Sequence, residues 1–375
     1  MSSPAFEERV VGRVRPVGAE HPLSFTGSAS EYFRIWIVNI ALTTITLGLY
    51  WAWAKVRTRR YFYGNTWLGG HNFEYTANPV AILRGHIVVA VMAGLYSFLQ
   101  SYDVALWLVV LALFALVWPY LAWSSLRFLG INTAYRGLRF GFHGQLKDAY
   151  KVYLAWPLLL VPTFGLLTPH VTFLQRRYTF DHAAYGSARA SFVGKSSEVW
   201  TIYLLAFALS VGAFTALGIA AFVLVVAAGL LGALGGDLGA SRDSSFALFG
   251  VLALVPIYAL YLLALAALGA FVKASLLHYS LTNTRGRLDD GSEVAFESTI
   301  SPWMYTGISV VNTLAQVVTL GLATPWAAVR RANYVLPRVA VVSPRPLDEF
   351  TSDVAQRQNA LGEAATDFLG LDIAL

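Results

Sequence analysis

The stretch TLGLYWAWAKVRTRR, residues 46–60, ends a hydrophobic segment at Thr-x-Gly and continues as a chain rich first in Trp and then in Arg. The same outline returns as TFGLLTPHVTFLQRRY from Thr163 and as TLGLATPWAAVRRANY from Thr319. Aligned on these threonines, the three copies share Gly at plus two, Tyr at plus fifteen, and Arg between plus eleven and plus fourteen. This spacing predicts an internal repeat, which constrains any topology.

The composition predicts a membrane protein. Hydrophobic residues make up 57% of the chain and charged residues only 13%, whereas soluble domains carry about 25% charged residues. Crossing a bilayer takes about 20 helical residues, and four long apolar segments meet that length. The predicted spans cover about residues 81–99, 104–123, 201–230 and 246–272. The first contains Arg84 and His86, but near one end, where a long side chain can reach the headgroups.

The three motif segments, about residues 32–54, 152–174 and 304–328, are harder to place. Each begins with about fourteen apolar residues, or about 21 Å of helix, which is short for a crossing. Two interpretations compete: a spanning helix, or a helix that turns at Thr-x-Gly and returns to the side it entered. Glycine tolerates the backbone angles of a turn. Pro169 and Pro325, six residues after the Thr, cannot donate to a continuing helix.

Charge placement favours the re-entrant interpretation. If the motif segments span, Lys and Arg fall on both sides in similar numbers and give no orientation signal. If they turn back, nearly all basic residues share one side, and the connections at residues 100–103 and 235–245 carry only Arg242. Since basic residues mark the cytoplasmic side, both termini are expected in the cytoplasm.

The polar connections predict β-hairpins. Asn65-Thr66, Asn132-Thr133 and Asn283-Thr284 each lead through glycines to a short alternating run. The runs are HNFEYT, LRFGFHG, ARASFVG and EVAFEST, and a similar HPLSFTG precedes the first helix. Because a lone hairpin is marginally stable in water, these hairpins are expected to assemble into one cytoplasmic sheet or barrel.

The predicted fold is therefore a mainly α-helical multi-pass membrane protein with repeated short β-hairpins. Its expected divisions are an N-terminal cytoplasmic segment with a strand (1–31), a repeat-built membrane domain (32–343) and an acidic tail (344–375).

These motifs resemble the bacterial DUF898 family. The likeness rests on FTGSASEYF, TLGLYWAWAKVRTRRYFYGNT, FEYT, NTAYRGLRFGFHG and TPWAAVRRANY, and covers roughly residues 23–342. The resemblance implies a multi-pass inner-membrane protein of unknown molecular function and supplies no catalytic residues. The second motif departs from the pattern, with Trp156 where the other copies have Asn and His170 where they have Trp.

No chemistry of catalysis or cofactor binding is predicted. The chain has no cysteine, which excludes disulfides and thiolate ligands. The seven histidines lack helical metal-site spacing, and no nucleotide-binding or hydrolase motif occurs. The chain is thus expected not to be an enzyme, with no metal and no cofactor. Nucleic acid is not an expected partner, since the basic residues flank apolar segments.

Polar residues within apolar segments form the candidate site, because burying them without partners is costly. These residues are Asn39, Thr46, Thr163, Asn312 and Thr319. They either bond the backbone freed at each turn or line a polar pathway for a small solute. A second group is expected to set orientation and contact lipid headgroups: Arg57, Arg59, Arg60, Arg176, Arg177, Arg330 and Arg331.

The leading functional hypothesis is transport of a small solute or lipid across the bacterial inner membrane. The alternative is a non-transporting scaffold or sensor whose cytoplasmic β-structure binds a partner. The expected partners are the lipid bilayer and either a second copy of the chain or a cytoplasmic protein.

Overall fold

The structure, a computed structural model, describes residues 18–186, 188–234, 242–287 and 293–344. The chain forms two compact units. The first comprises residues 1–194, 280–299 and 332–375, and contains every strand of the sheet. The second comprises residues 195–279 and 300–331 and is helical.

A single antiparallel sheet of eleven strands lies in the first unit. The strands are β1 (Ala19–Pro22), β2 (Ser24–Phe25), β3 (Thr66–Leu68), β4 (His71–Tyr75), β5 (Thr133–Tyr135), β6 (Leu138–Phe142), β7 (Ala183–Tyr185), β8 (Ala188–Phe192), β9 (Thr284–Arg287), β10 (Glu293–Ser298) and β11 (Val339–Ser343). Their order is β1-β11-β10-β9-β8-β7-β6-β5-β4-β3-β2. β1 and β2 follow each other in the chain but stand at the two opposite ends of this strand order, so the sheet is nearly closed. The prediction that the hairpins assemble into one sheet is confirmed.

Four consecutive hairpins, one pair of terminal strands and the short strand β2, which pairs with β3, build the sheet. The hairpins are β3–β4, β5–β6, β7–β8 and β9–β10, and the fifth pair joins β1 to β11, with Ala19 opposite Ser343. The β5–β6 turn has positive φ at Arg136 (52°) and Gly137 (77°). These angles match the two-residue turn whose twist suits a hairpin.

Alternate strand residues fill the interior of the sheet. The buried cluster contains Leu68, Tyr135, Val294 and Val341. Partly buried hydrophobic side chains pack against this cluster: Leu23, Phe73, Phe140, Tyr185 and Phe296. The Tyr135 hydroxyl donates to the Leu68 carbonyl at 2.7 Å, and the Tyr185 hydroxyl donates to the Tyr135 carbonyl at 2.9 Å. Burial raises the pKa of Tyr185 well above its ordinary value, so this phenol stays a donor at physiological pH.

Five helix pairs lie between successive strand pairs. The helices are α1 (Ala29–Ile45), α2 (Trp51–Gly64), α3 (Pro79–Gln100), α4 (Val104–Ile131), α5 (Leu146–Tyr150), α6 (Trp156–Leu158), α7 (Thr168–Asp181), α8 (Ser196–Leu234), α9 (Arg242–Thr282), α10 (Pro302–Val318) and α11 (Thr324–Val335). A π-helical segment, Lys151–Ala155, joins α5 to α6, so that these three elements form the first arm of the third pair and α7 forms the second. A 3₁₀ turn, Leu336–Arg338, follows α11. Along the chain the pairs alternate between short and long.

The five strands that precede the helix pairs in the chain, β2, β4, β6, β8 and β10, all end at one edge of the sheet, because neighbouring strands are antiparallel. We call this the helix edge, and the opposite edge, with the hairpin turns, the turn edge. Five backbone bonds of 2.9–3.0 Å fasten the helix edge. In each bond a backbone amide donates to a backbone carbonyl. The pairs are Thr26 to Asn65, Thr76 to Asn132, His143 to His182, Val193 to Asn283, and Thr299 to Arg338.

Among the described residues, four helices are long and apolar enough to cross a membrane: α3, α4, and the segments Ser196–Ala227 of α8 and Val255–Thr282 of α9. α3 and α4 contain the predicted segments 81–99 and 104–123, and the other two candidate spans overlap the predicted segments 201–230 and 246–272. α4 continues to Ile131, well past the predicted end at residue 123. A side-chain cap starts α4, where Asp103 Oδ1 accepts from the Ala105 and Leu106 amides at 2.7 and 3.0 Å.

Candidate functional site

Each Thr-x-Gly motif reverses the chain between two helices. In the first, Thr46 caps α1, Leu47 has φ 50° and Gly48 has φ 93°. The Gly48 amide donates to the Thr43 carbonyl at 2.7 Å, and the Leu47 amide donates to the Thr44 carbonyl at 3.1 Å. These two bonds define a Schellman motif, which satisfies carbonyls at a helix C-terminus.

The second and third motifs have the same bonds. The Gly165 and Gly321 amides donate to Leu160 and Gln316 at 2.8 and 2.7 Å. The Phe164 and Leu320 amides donate to Val161 and Val317, at 3.2 Å in each case. The next helix then starts with Thr-Pro in both, and Pro169 and Pro325 occupy its first turn, where proline is favoured.

The motif threonines bond within their own turns. The hydroxyls of Thr46, Thr163 and Thr319 donate to the carbonyl four residues earlier at 2.6–2.7 Å. Thr46 Oγ1 also accepts from the Tyr50 amide at 3.0 Å, and Thr319 Oγ1 accepts from the Ala323 amide at 2.9 Å. The side chain thereby joins the end of one helix to the start of the next.

The residue that follows each threonine is apolar and almost fully exposed. Leu47, Phe164 and Leu320 are each 95% exposed. All three adopt left-handed backbone angles, with φ of 49–50°, a conformation that costs an L-residue other than glycine roughly 1–2 kcal/mol. Flanking residues extend the apolar surface: Ile45, Leu49, Val161, Leu166, Val318 and Leu322. We call these three surfaces the apolar tips.

Asn39 and Asn312 connect the two helices of the first and third motifs. Asn39 Nδ2 donates to the Ala54 carbonyl at 3.4 Å, and Asn312 Nδ2 donates to the Ala327 carbonyl at 3.2 Å. Both residues are buried, at 5% and 3% exposure. Their amide oxygens differ: Asn312 Oδ1 accepts from Arg330 Nη1 at 3.2 Å, whereas Asn39 Oδ1 is buried with no partner among the described residues.

The second motif uses different residues at the same place. Trp156, which replaces Asn, packs edge-on against His170 with ring centroids 4.9 Å apart. The helix before this turn is irregular, since Lys151–Ala155 is π-helical and Pro157 follows. An aromatic contact therefore replaces the amide-to-carbonyl bond of the other two motifs.

The five predicted polar residues lie in three separate helix pairs. Asn39 and Thr46 belong to the α1–α2 pair, Thr163 to the α6–α7 turn, and Asn312 and Thr319 to the α10–α11 pair. Whether these residues serve a solute stays a prediction.

Three of the predicted lipid-facing arginines bond to protein groups. Arg59 Nη1 donates to the Tyr75 hydroxyl at 2.7 Å, and Arg60 Nε donates to the Tyr75 carbonyl at 3.2 Å. Arg330 bonds Asn312 and lies over the Trp326 ring at 5.0 Å. Arg57 and Arg177 are exposed, and Arg176 and Arg331 are half-buried. Their contact with headgroups stays a prediction.

The shared tyrosine at plus fifteen fastens the base of a helix pair. The Tyr61 hydroxyl donates to the Ser28 carbonyl and accepts from the Ser28 amide, both at 2.8 Å. The Tyr178 hydroxyl donates to the Gln145 carbonyl at 3.0 Å. Ser28 and Gln145 are the N-caps of α1 and α5. The repeat spacing identified this tyrosine, but it gave no role.

The Asn-Thr pairs lie where a helix ends and β3, β5 or β9 begins. Asn65 Nδ2 and Thr66 Oγ1 donate to the Tyr61 and Phe62 carbonyls, each at 2.8 Å. Asn132 and Thr133 make the same two bonds, also at 2.8 Å. The Tyr61 and Phe128 carbonyls also accept from the backbone amides of Asn65 and Asn132, at 3.1 and 3.2 Å. The side chains of the pair thus add donors at the carbonyl end of the helix, where the helix ends and the strand begins.

Among the described residues, no group of three or more His, Asp or Glu side chains could hold a metal ion. The apolar helices and the sheet define the class, a mainly helical membrane protein built with an antiparallel sheet. This chain belongs to the DUF898 family, described as a bacterial protein of unknown function, whose model matches residues 20–368.

Relatives named inner membrane protein YjgN share part of this sequence. The protein from Salmonella typhimurium is 33% identical over 142 residues, which is 38% of this chain and 36% of the relative. The protein from Escherichia coli K12 is 32% identical over 146 residues, 37% of this chain and 35% of the relative. The match thus spans about a third of these relatives' length. No solved structure matches the chain.

Proposed function

We propose that this protein is a multi-pass protein of the bacterial inner membrane that acts as a non-transporting scaffold. In this proposal the sheet and both termini lie in the cytoplasm. The two long helix pairs cross the membrane and return, and the three motif pairs re-enter the cytoplasmic leaflet. The proposal includes no enzymatic activity and no cofactor.

The connections at the helix edge support this topology. The strand before each helix pair ends at that edge and the strand after it begins there, so each pair returns the chain to the same edge of the sheet. α3 has 22 residues, or about 33 Å of helix, which matches a hydrocarbon core about 30 Å thick. α1 and α10 have 17 residues each, or about 26 Å, and the chain reverses at their ends.

The apolar tips carry the proposal. Apolar side chains exposed at 95% are unfavourable in water but favourable in hydrocarbon. A non-helical turn at membrane depth is tolerated only if its backbone polar groups find partners. The Schellman bonds and the threonine hydroxyls provide such partners within each turn.

The filled interior favours a scaffold over a transporter. Aliphatic and aromatic side chains from most strands occupy the inside of the sheet. The motif threonines and Asn312 are bonded to neighbouring protein groups. A protein with this arrangement offers its partners surfaces at the membrane instead of a polar route across it.

Single cysteines test the topology, since the chain has none of its own. Cysteines at Ser2, Gly64, Ser187 and Gly291 are expected to react with an impermeant maleimide from the cytoplasm only. The matched control is Ser101, between α3 and α4, which should react from the periplasm only.

The same labelling experiment also tests whether the apolar tips lie in the membrane. Cysteines at Leu49 and Leu322 should react from neither side, and a fluorophore attached there should be quenched by lipids brominated on the acyl chain. Reaction of either position from the periplasm would show that the motif spans and would overturn the proposal.

One observation favours transport of a small solute or lipid as a second candidate. Asn39 Oδ1 is buried without a partner among the described residues, and a free acceptor beside a broken helix is suited to a polar ligand. Transport predicts that Asn39→Leu abolishes flux into liposomes while the folded yield is kept. A panel of solutes and lipids that shows no flux through the wild-type protein rules this candidate out.

A further inference from the structure

Four arginines lie on three strands of the sheet: Arg139 on β6, Arg189 on β8, and Arg285 and Arg287 on β9, with β7 between β6 and β8. We call this group the arginine face. Arg189 and Arg287 are direct cross-strand partners in the β8–β9 register, and Arg285 lies opposite Ser191. Like charges directly opposite each other destabilise a strand pair, so this register calls for an anion nearby.

The arginine face has more arginines than carboxylates: on the adjacent strand β10, Glu293 lies opposite Arg287 and Glu297 lies on the same face. Arg287 Nη2 lies 3.5 Å from Glu293 Oε1, and both side chains are at least half exposed. In the described part of the chain, Arg139 and Arg189 form no ion pair and no side-chain hydrogen bond, and both are exposed. The positive charge on these strands is therefore available to an outside group.

The position of the arginine face disfavours lipid headgroups as its occupant. Arg139 and Arg189 are the second residues of β6 and β8, and Arg287 is the last residue of β9. All three lie toward the turn edge. The helix pairs leave from the other edge, and a strand of five residues separates the two edges by about 17 Å.

The carboxy-terminal segment, residues 345–375, starts at this same edge. β11 runs from the helix edge to the turn edge and ends at Ser343. Only β10 separates β11 from β9, so the arginine face begins about 10 Å from the point of attachment. The segment has 31 residues, and at about 3.3 Å per extended residue it can reach every strand of the face.

The two terminal segments of the chain, which both connect to strands at the turn edge, differ in charge. Residues 345–375 carry six carboxylates against two arginines. Residues 1–17 carry two glutamates against three arginines. Arginine pairs strongly with carboxylates because its guanidinium donates two parallel hydrogen bonds. Tethering also raises the local concentration of the segment to about the millimolar range.

We propose that the carboxy-terminal segment docks on the arginine face of its own chain. Asp348, Glu349 and Asp353, the first carboxylates after the point of attachment, neutralise the facing Arg189 and Arg287. The site differs from the apolar tips, and it does not depend on a scaffolding or a transporting role.

A nitroxide spin label on Gln358→Cys, in the otherwise cysteine-free protein, reports whether the segment is held. The protein is placed in phosphatidylcholine nanodiscs, whose lipids carry no net charge. At 0.1 M salt we expect the electron paramagnetic resonance spectrum to contain a component from slowly moving label, called the slow component below. It should disappear at 1 M salt, where the Debye length falls from about 10 Å to about 3 Å.

Charge reversal identifies the surface. Arg189→Glu with Arg287→Glu should remove the slow component, and adding Asp348→Lys with Glu349→Lys should restore it. The matched control is Lys147→Glu with Lys195→Glu, which makes the same change in net charge near the helix edge. The slow component should persist in this control. If the arginine double variant fails to fold, the tail variant Asp348→Lys with Glu349→Lys alone must lose the slow component.

Three results would overturn the proposal. The label could be fully mobile in the wild-type protein, or its slow component could persist when the arginines or the tail carboxylates are reversed. A slow component that falls on dilution would show that the segment docks on another copy of the chain.

Discussion

At the scale of single residues, Asn39 and Asn312 have matching positions but different partners. Each donates to a carbonyl fifteen residues later, and each has an arginine eighteen residues later, Arg57 or Arg330. Only Arg330 donates back to its asparagine in the described structure, because Arg57 is exposed. The third motif thus has a closed polar network, whereas the first leaves a buried acceptor unused.

This difference predicts that replacing Asn by Leu lowers the free energy of unfolding by different amounts at the two positions. Asn312→Leu removes the partner of the Ala327 carbonyl and leaves Arg330 unpaired, so it should destabilise the protein by about 1–3 kcal/mol. Asn39→Leu removes one longer bond and also an unsatisfied oxygen, so it should cost less than about 1 kcal/mol. Thermal unfolding of both variants in the same detergent measures the difference. Equal shifts in Tm would contradict the assigned network.

At the scale of elements, the Thr-x-Gly turn depends on the backbone of its glycine. Gly321 has φ 91°, and a Cβ added there would meet no atom within 4 Å. A side chain at this position would therefore lower stability through the strained backbone angles and not through a clash with neighbouring atoms. Gly307, inside α10, also has open space for a Cβ, but its backbone is helical.

Gly321→Ala should therefore lower stability by about 1–2 kcal/mol, the cost of a left-handed L-residue. Gly307→Ala is the matched control and should be neutral or stabilising by up to about 1 kcal/mol, since alanine is the better helix former. Thermal unfolding again provides the measurement. A Gly321→Ala variant as stable as Gly307→Ala would show that the turn relaxes to other angles.

At the scale of the whole molecule, the length of the uncharged segments predicted the four long helices, and the turn-rich stretches followed by short alternating runs, three of them marked by Asn-Thr, predicted the sheet. Both signals are local, since a crossing needs only length and Asn-Thr bonds its own helix end. The pairing of Ala19 with Ser343 was not predictable, because it joins residues from opposite ends of the chain. The contact of Arg330 with Asn312 was also beyond prediction, since Arg57 has the same spacing and a different conformation.

The closure of the sheet leads to a prediction about the whole molecule. β1 covers one edge of β11 over four residue pairs, and β10 covers the other. Deleting residues 1–22 removes β1 and leaves the outer amides of β11 unpaired. Hydrogen exchange across Val339–Ser343 should then become faster, because an edge strand opens at lower free energy than a paired one.

Deleting residues 1–17 keeps β1 and is the matched control, in which exchange in β11 should stay at the wild-type rate. The exchange of β5 and β6, on the opposite side of the strand order, should be unchanged in both truncations. Equal protection of β11 in the two truncations would mean that β1 does not close the sheet. Faster exchange throughout all strands in the longer deletion would instead show that closure stabilises the sheet as one cooperative unit, with β1 needed for the fold as a whole.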